Sequence, residues 1–294
     1  MLRGVLAGLL AGALWGLVFV APRMVPGFSG VDLAAGRFLA YGLVALLVVG
    51  LGRGRRPDAR QALAAIGLSV LGFTGYYLLL VFAIRDAGTE VPTLVIGTIP
   101  LWVMLLGKPG HLRWRALAPA LLLTAGGLAL MMAVPDAGEG GVRPDYWRGV
   151  LLATCSLACW TAFALLNAAW LKRHPEVNAT DWANWLGLAT GAGALLLWAV
   201  AGSGIGALRA QPQAGLFLVL CVATGFGSAW LATILWNVAS QRLPASLCGQ
   251  LIVSETLFAL AYSFAWDRSW PSAAQLAAVA MFTLGILAAI KAHR

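Results

Sequence analysis

The sequence carries little charge and few groups that could do chemistry inside a membrane. Only 11% of its 294 residues are charged, against about 25% in soluble globular proteins, while 61% are hydrophobic and the mean hydropathy is +0.84. This composition excludes a soluble globular domain and predicts an all-α integral membrane protein. Lys and Arg outnumber Asp and Glu by 20 to 11. The basic residues lie in short loops between apolar runs, which is typical of topology signals and not of a nucleic-acid-binding face.

Histidine and cysteine are scarce and poorly placed for catalysis. His111, His174 and His293 fall in loops or at the terminus, so no His-dependent reaction is expected within the membrane. All four cysteines fall inside apolar runs. Cys155 and Cys159 share a helix face, but no nearby histidine or acid completes a metal site, which favours simple packing. We therefore expect no catalytic residue, no bound metal and no cofactor.

Ten apolar segments follow one another along the chain. They span roughly residues 4–22, 32–51, 61–84, 90–107, 115–133, 147–171, 181–201, 213–240, 244–266 and 271–292. Most are long enough to cross a hydrocarbon core of about 30 Å with some tilt. The fourth is the shortest and the eighth is the longest. The sequence thus predicts ten transmembrane helices in a lipid bilayer.

Basic residues alternate between the two sides of these segments. One side collects thirteen cations and the other six, with Arg37 inside the second segment left out of the count. Because cytoplasmic loops are enriched in Lys and Arg, both termini are predicted to be cytoplasmic. The expected location is the cell inner membrane. Whether the protein is a monomer or a homodimer stays open.

The two halves of the chain are related in sequence. Arg3-Gly4-Val5-Leu6 recurs as Arg148-Gly149-Val150-Leu151, and Trp15 recurs as Trp160 at the same offset. We expect a first five-helix repeat over residues 1–134, a periplasmic connecting loop over 135–146 and a second repeat over 147–294. Because each repeat has an odd number of spans, the second copy must insert upside down. Such inverted-topology repeats commonly place a site near the membrane midplane.

An acid lies at the centre of the ninth segment. Glu255 is some ten residues from either end, too deep to reach water by extending its side chain, and Gln250 and Ser254 precede it on the same polar stripe. It could be a structural acid, a substrate contact, or a group that couples transport to protons or cations. No basic residue is expected at its depth, since Arg37 is expected near the outer end of the second segment. Phosphorylated cargo is therefore not expected.

Aromatic and polar residues recur deep in other segments. A deep Trp can pack in the core or line a cavity, and a deep Asn, Thr or Tyr can join helices or face water. Pro100 would free the carbonyl of Ile96 in the fourth segment. A glycine ridge in the first segment (Gly4, Gly8, Gly12 and Gly16) predicts close helix packing, with a dimer interface or a sliding surface as alternatives. The candidate substrate-binding residues are Trp15, Tyr76, Tyr77, Pro100, Trp160, Asn167, Trp230, Trp236, Asn237, Gln250, Ser254 and Glu255.

Short motifs in five segments resemble the drug/metabolite transporter superfamily in its ten-helix EamA-type branch. They are Trp15-Gly16, Gly36-Arg37-Phe38, Pro100-Leu101, Leu235-Trp236-Asn237 and Ser254-Glu255-Thr256. Gly225-Phe226-Gly227 and Trp236-Asn237 are most similar to the YddG-type amino acid exporters. Thr256 stands where many members have proline, which puts in doubt any mechanism that needs a proline break in the ninth helix.

The resemblance implies a secondary transporter that exports small metabolites by alternating access, most simply aromatic and other neutral amino acids. A multidrug exporter for cationic compounds, or a purine or sugar exporter of the same fold, is the main alternative. A channel and a membrane-embedded enzyme are further ones. The enzyme is disfavoured because the sequence has one deep acid and no deep histidine.

Overall fold

The computed structural model is helical and without strands throughout the residues it describes, which are 1–88, 90–132, 145–268 and 270–294. Within these residues nine helices are long and apolar enough to cross a membrane, and one shorter apolar helix covers Val91–Leu106. The expected shortness of the fourth segment is thus confirmed. The predicted connecting loop, 135–146, falls almost entirely outside the described residues.

The helices follow the predicted segments in order. We label them α1 (Leu2–Met24), α2 (Gly30–Gly50), α3 (Ala59–Ala87), α4 (Glu90–Gly97 and Ile99–Leu106), α5 (Trp114–Met132), α6 (Tyr146–Arg173), α7 (Ala179–Ala201), α8 (Ala214–Arg242), α9 (Ala245–Asp267) and α10 (Ala273–Ala292). Two of them, α3 and α8, contain a π-helical turn, at Val70–Thr74 and at Gly225–Leu231. Such turns are rare and often accompany functional sites.

Helix α3 is longer than predicted, and local chemistry explains both of its ends. Asp58 and Gln61 form a capping box in which each side chain accepts a hydrogen bond from the backbone N–H of the other, so the helix begins at Ala59. It ends before Gly88, whose φ of 82° suits glycine. At 29 residues α3 equals α8, so the eighth segment shares with the third the greatest length among the described helices.

Helix packing pairs each half of the chain with the other. α2 packs along α7, α4 against α9 and α5 along α10. The remaining large contacts also come in matched sets: α1 packs on α8 and α9 as α6 packs on α3 and α4, and α2 packs on α8 as α7 packs on α3. Gly4 at the start of α1 contacts Leu243 after α8, and Gly149 at the start of α6 contacts Ala87 at the end of α3.

The α2–α7 seam is tightest at its centre. A Cβ on Gly42 would lie 2.6 Å from the Cα of Gly191, so the two backbones touch there. From the position directly before Gly42, the buried Tyr41 hydroxyl donates a 2.6 Å hydrogen bond to the carbonyl of Ala183. Close backbone approach at small residues is the usual way in which membrane helices associate.

One end of this seam is joined by Asp32, three residues after the N-cap Ser29 of α2. The buried Asp32 carboxylate accepts hydrogen bonds at 2.7 Å from both the backbone N–H and the hydroxyl of Ser203, which follows α7. Its other partner is the Ser29 hydroxyl at 2.6 Å. The start of α2 is therefore tied to the end of α7.

The other end of the seam repeats this arrangement with the roles exchanged. Asn178 caps α7, and the buried Asp181 carboxylate accepts a 2.9 Å hydrogen bond from the backbone N–H of Arg55, which follows α2. Asn178 also donates to Asp181 at 2.6 Å. The two helices run antiparallel, and a buried aspartate joins them at each end. We call the end at Asp181 the amino-terminal face, because α7 begins there as α1 does, and the end at Asp32 the opposite face.

The α4–α9 seam is closed at the amino-terminal face. The backbone N–H of Ser246 donates a 3.2 Å hydrogen bond to the carbonyl of Gly107, and a Cβ on Gly249 would lie 2.9 Å from that of Val103. α9 packs extensively against Ile99–Leu106. Among the described residues no comparable packing joins it to Glu90–Gly97. The two helices therefore diverge toward the opposite face.

The glycine ridge of α1 is an internal packing surface. Gly8 contacts Leu251, and Gly12 contacts the backbone of Ser254 and Glu255, so α1 lies directly on α9. Gly4 and Gly16 are buried in the same way. The packing alternative predicted from the sequence is the one that this geometry supports.

Candidate functional site

Aromatic side chains from five helices form a continuous chain through the centre of the molecule. Neighbouring ring centroids lie 5.4 to 6.3 Å apart, within the range for favourable ring contacts. In order of contact the rings are Trp15, Trp236, Trp160, Phe163, Phe73, Phe38 and Tyr77. Because these rings come from α1, α8, α6, α3 and α2, the chain crosses from one half of the sequence to the other.

The tryptophans of this chain differ in exposure. Trp236 is 1% exposed, and its indole N–H is buried without a hydrogen-bond partner in the described structure. Trp15 and Trp160, on either side of it, are only partly buried. A buried indole normally finds an acceptor. The geometry therefore combines a fully enclosed central ring with two flanking rings that remain accessible.

Trp230 lies apart from the aromatic chain. Its indole N–H donates a 2.8 Å hydrogen bond to Asn184 of α7, and its ring stacks on Phe226 at 5.3 Å. Both Phe226 and Trp230 belong to the π-helical turn of α8. The structure thus does not join this candidate to the Trp15–Trp160 group.

Glu255 has a cationic neighbour that was not expected. Arg37 interacts electrostatically with Glu255 and with Tyr76 and Tyr77. The sequence did not predict that a base lies within electrostatic range of Glu255. α2 begins at Gly30, which places Arg37 about 10 Å inside the helix at 1.5 Å per residue. Its guanidinium also covers the ring of Phe38, 4.8 Å from the centroid.

The two tyrosines take different positions on α3. The hydroxyl of Tyr77 donates a 3.1 Å hydrogen bond to the carbonyl of Gly30 at the start of α2. The backbone carbonyl of Tyr76 accepts a 2.9 Å bond from Ser156 of α6. Both side chains are partly buried and lie within electrostatic range of Arg37. They therefore lie close to the charged groups.

Helix α4 is interrupted beside Pro100. The helix stops at Gly97 and resumes at Ile99, and Thr98 bonds back to the carbonyl of Val95 through both its N–H and its hydroxyl. Proline has no N–H to donate to the carbonyl of Ile96. The structure thus breaks α4 within the turn that precedes Pro100. By contrast α9 runs unbroken through Glu255 and Thr256.

Gln250 and Ser254 are buried and bonded within the protein. Gln250 exchanges hydrogen bonds of 3.0 and 3.1 Å with the hydroxyl of Thr124 in α5. Ser254 donates to the carbonyl of Leu251 at 2.7 Å and packs against Gly12 of α1. The polar stripe of α9 thus divides: Gln250 faces α5, Ser254 faces α1, and Glu255 interacts electrostatically with Arg37.

Asn167 and Asn237 join three helices near the amino-terminal face. Asn167 donates a 3.2 Å hydrogen bond to Asn237 and accepts a 2.7 Å bond from the indole of Trp182. Asn237 in turn donates to the carbonyl of Ala179 at the start of α7. Both amides are fully buried. The pair is close to one end of the helices and contributes to the packing there.

Comparisons with known proteins agree with this architecture. The sequence profile of the EamA-like transporter family matches residues 2–131. The chain is 36% identical, over an alignment of 311 residues, to inner membrane protein YtfF of Escherichia coli (strain K12), covering 99% of this chain and 96% of that protein. The chain belongs to the EamA-like transporter family, within the drug/metabolite transporter superfamily. A crystal structure of another protein shares its fold with a TM-score of 0.80 at 23% identity, covering 99% of this chain and 97% of the other.

Three groups in the transporter were missed as candidate residues from the sequence. Arg37 was not expected to interact with Glu255, and Phe38 was noted only as part of a motif. The third group is the pair Asp32 and Asp181. Each lies three residues after a Ser or Asn N-cap, Ser29 or Asn178, and this sequence pattern could have marked both as residues at the start of a helix. No three His, Cys, Asp or Glu side chains come together as a metal site in the described part of the transporter.

Proposed function

We propose that this transporter is an inner-membrane exporter of small neutral metabolites, chiefly amino acids and among them aromatic ones, which works by alternating access. It would consist of ten transmembrane helices in two inverted five-helix repeats, with both termini in the cytoplasm. The matched helix contacts between the halves and the π-turns of α3 and α8 support the repeat. The location rests on the thirteen-to-six distribution of cations and on the name of YtfF.

The observation that carries the proposal is the aromatic chain between the halves, beside an α4–α9 seam that closes at one face only. Trp15 and Trp160 remain partly accessible and could stack on an aromatic or apolar cargo. Since α4 and α9 diverge toward the opposite face, cargo could enter from that face or leave toward it. The interrupted α4 offers a place for that helix to bend.

Counterflow in proteoliposomes tests this function. Vesicles loaded with unlabelled phenylalanine should accumulate labelled phenylalanine transiently, with saturation, whereas a channel would only equilibrate it. The panel should include other amino acids and cationic dyes, with and without a pH gradient. Counterflow with dyes but with no amino acid would reject the amino acid proposal and favour a multidrug exporter.

Substitution of Trp15 and Trp160 tests whether these rings contact the substrate. Trp15→Ala and Trp160→Ala should each raise KM for phenylalanine by about tenfold. Stacking of the substrate ring on each indole, together with burial of the ring, contributes about 1 to 2 kcal/mol to binding. Trp147→Ala is the matched control, since Trp147 is the second residue of α6 and is 79% exposed. Equal KM values for all three variants and the wild type would contradict an aromatic substrate wall.

The role of Glu255 in energy coupling is tested in the same vesicles. If this acid couples protons, Glu255→Gln should abolish the dependence of phenylalanine efflux on a pH gradient. Efflux that keeps the wild-type dependence would leave Glu255 as a binding or structural group.

A further inference from the structure

Arg37 and Glu255 attract each other without touching. Each interacts electrostatically with the other, yet no ion pair within 4.0 Å and no hydrogen bond joins them in the described structure. The Nε of Arg37 is buried and has no hydrogen-bond partner among the residues that the structure describes. A structural ion pair between α2 and α9 would bring the charged atoms into contact, and here they stay apart.

Such a separated pair is energetically unusual at this depth. A charge taken out of water needs a partner in direct contact to offset its lost hydration, and the attraction across a gap offsets only part of it. Both side chains are partly accessible. A molecule that contacts both groups would supply the missing partners.

The sign of the two charges selects the ligand. An anion would be attracted by Arg37 and repelled by Glu255. A cation would be attracted by Glu255 and repelled by Arg37. A zwitterion satisfies both charges at once. Resting on the proposed function, we infer that Arg37 binds the α-carboxylate of the transported amino acid and Glu255 binds its α-ammonium group.

The surroundings fit the rest of such a ligand. Arg37 covers Phe38, which is also a member of the aromatic chain, so the carboxylate end of the ligand lies beside ring faces. Tyr76 and Tyr77 add hydroxyl groups near Arg37. The guanidinium can donate two parallel hydrogen bonds to a carboxylate, which an ammonium group of lysine cannot match in geometry. A site with two opposite charges at one end and an aromatic wall at the other thus suits an amino acid with an apolar or aromatic side chain.

Direct binding to the purified full-length transporter tests the assignment. The probes are phenylalanine, its methyl ester, which lacks the carboxylate, and N-acetylphenylalanine, which lacks the ammonium group. The wild type should bind phenylalanine at least about tenfold more tightly than either analogue, because each loses a charged hydrogen bond. Arg37→Gln should remove the preference over the ester and keep the preference over the N-acetyl compound. Glu255→Gln should do the reverse.

This crossed pattern separates ligand contact from a structural role. A merely structural change would weaken all three probes by one factor. Arg148→Gln is the matched control, since Arg148 pairs with Asp86 at 2.8 Å instead of with Glu255, and it should leave both preferences unchanged.

Two results would overturn the inference. One is a wild type that binds the ester or the N-acetyl compound as tightly as phenylalanine, and the other is a uniform loss in either variant. In both cases saturable counterflow of phenylalanine would show that the proposed function still stands. Absence of phenylalanine binding together with absence of amino acid counterflow would reject the function and the inference together.

Discussion

The α2–α7 seam and the α4–α9 seam are both antiparallel pairs of one helix from each half, yet they are held differently. Asp32 and Asp181 bond α2 to α7 at both faces, and the backbones touch between them at Gly42. α4 and α9 are joined at the amino-terminal face alone among the described residues, and α4 is interrupted at Thr98. Opening the first seam would leave buried carboxylates unpaired. We therefore expect α2–α7 to stay fixed and α4–α9 to move during transport.

The largest effect should come from the centre of the fixed seam. In Gly42→Ala the new Cβ would lie 2.6 Å from the Cα of Gly191, a backbone atom that cannot turn aside. We expect a loss of about 3 kcal/mol in the free energy of unfolding, at the upper end for overpacked sites. The measurement is thermal unfolding of the detergent-solubilised protein.

Gly67→Ala is the control for this substitution. Gly67 also lies inside a membrane helix, α3, but a Cβ there would meet no atom within 4 Å. It should be neutral, or stabilising by up to about 1 kcal/mol because alanine favours the helix. Equal unfolding temperatures for the two variants would mean that the α2–α7 contact is not tight.

The buried aspartates should have a smaller but matched effect. Asp32→Ala and Asp181→Ala each remove a buried charged acceptor from backbone N–H donors, at about 2 kcal/mol. Thermal unfolding should show similar losses for both, since the two ends are built alike. Asp58→Ala removes an exposed cap and should cost only about 1 kcal/mol. Loss of stability in only one of the buried variants would break the symmetry of the fixed seam.

These aspartates also show where prediction from sequence ends. The apolar segments and caps follow from local composition, so the order of the helices, a disturbance of α4 by Pro100 and the packing of the glycine ridge could be predicted. That Asp32 also reaches Ser203 could not, because this bond joins positions 171 residues apart. The same holds within the candidate site. The stripe of Gln250, Ser254 and Glu255 was visible, but the neighbour that each residue faces depends on how helices pack.

Arg37 is the clearest case. A basic residue in an apolar segment is ordinarily placed near the membrane surface, and the start of its helix was predicted two residues late. Its interaction with Glu255 depends on how α2 and α9 are arranged in the fold, which no local pattern encodes. The sequence therefore indicated the acid of the site, and only the fold identifies its partner.

The smallest expected effect tests whether the α4–α9 seam is the one that moves, and two native cysteines report on it. Cys248 is buried in α9 next to Gly249, whereas Cys221 is buried in α8 against Gly36 of the fixed α2. In Gly249→Ala the added Cβ would press on Val103 and loosen the seal. A shift of about 1 kcal/mol toward the open form should speed reaction of Cys248 with N-ethylmaleimide about fivefold. Mass spectrometry of the labelled protein would locate the modified residue.

Cys221 provides the internal control within the same molecule, since its labelling should be unchanged by Gly249→Ala. Phenylalanine added during turnover should likewise alter the labelling of Cys248 and leave that of Cys221 constant. If both cysteines respond equally, the whole transporter has loosened and the seams do not differ in function. If only Cys221 responds, the moving seam is α2–α7, and its two buried aspartates would have to exchange partners in each transport cycle.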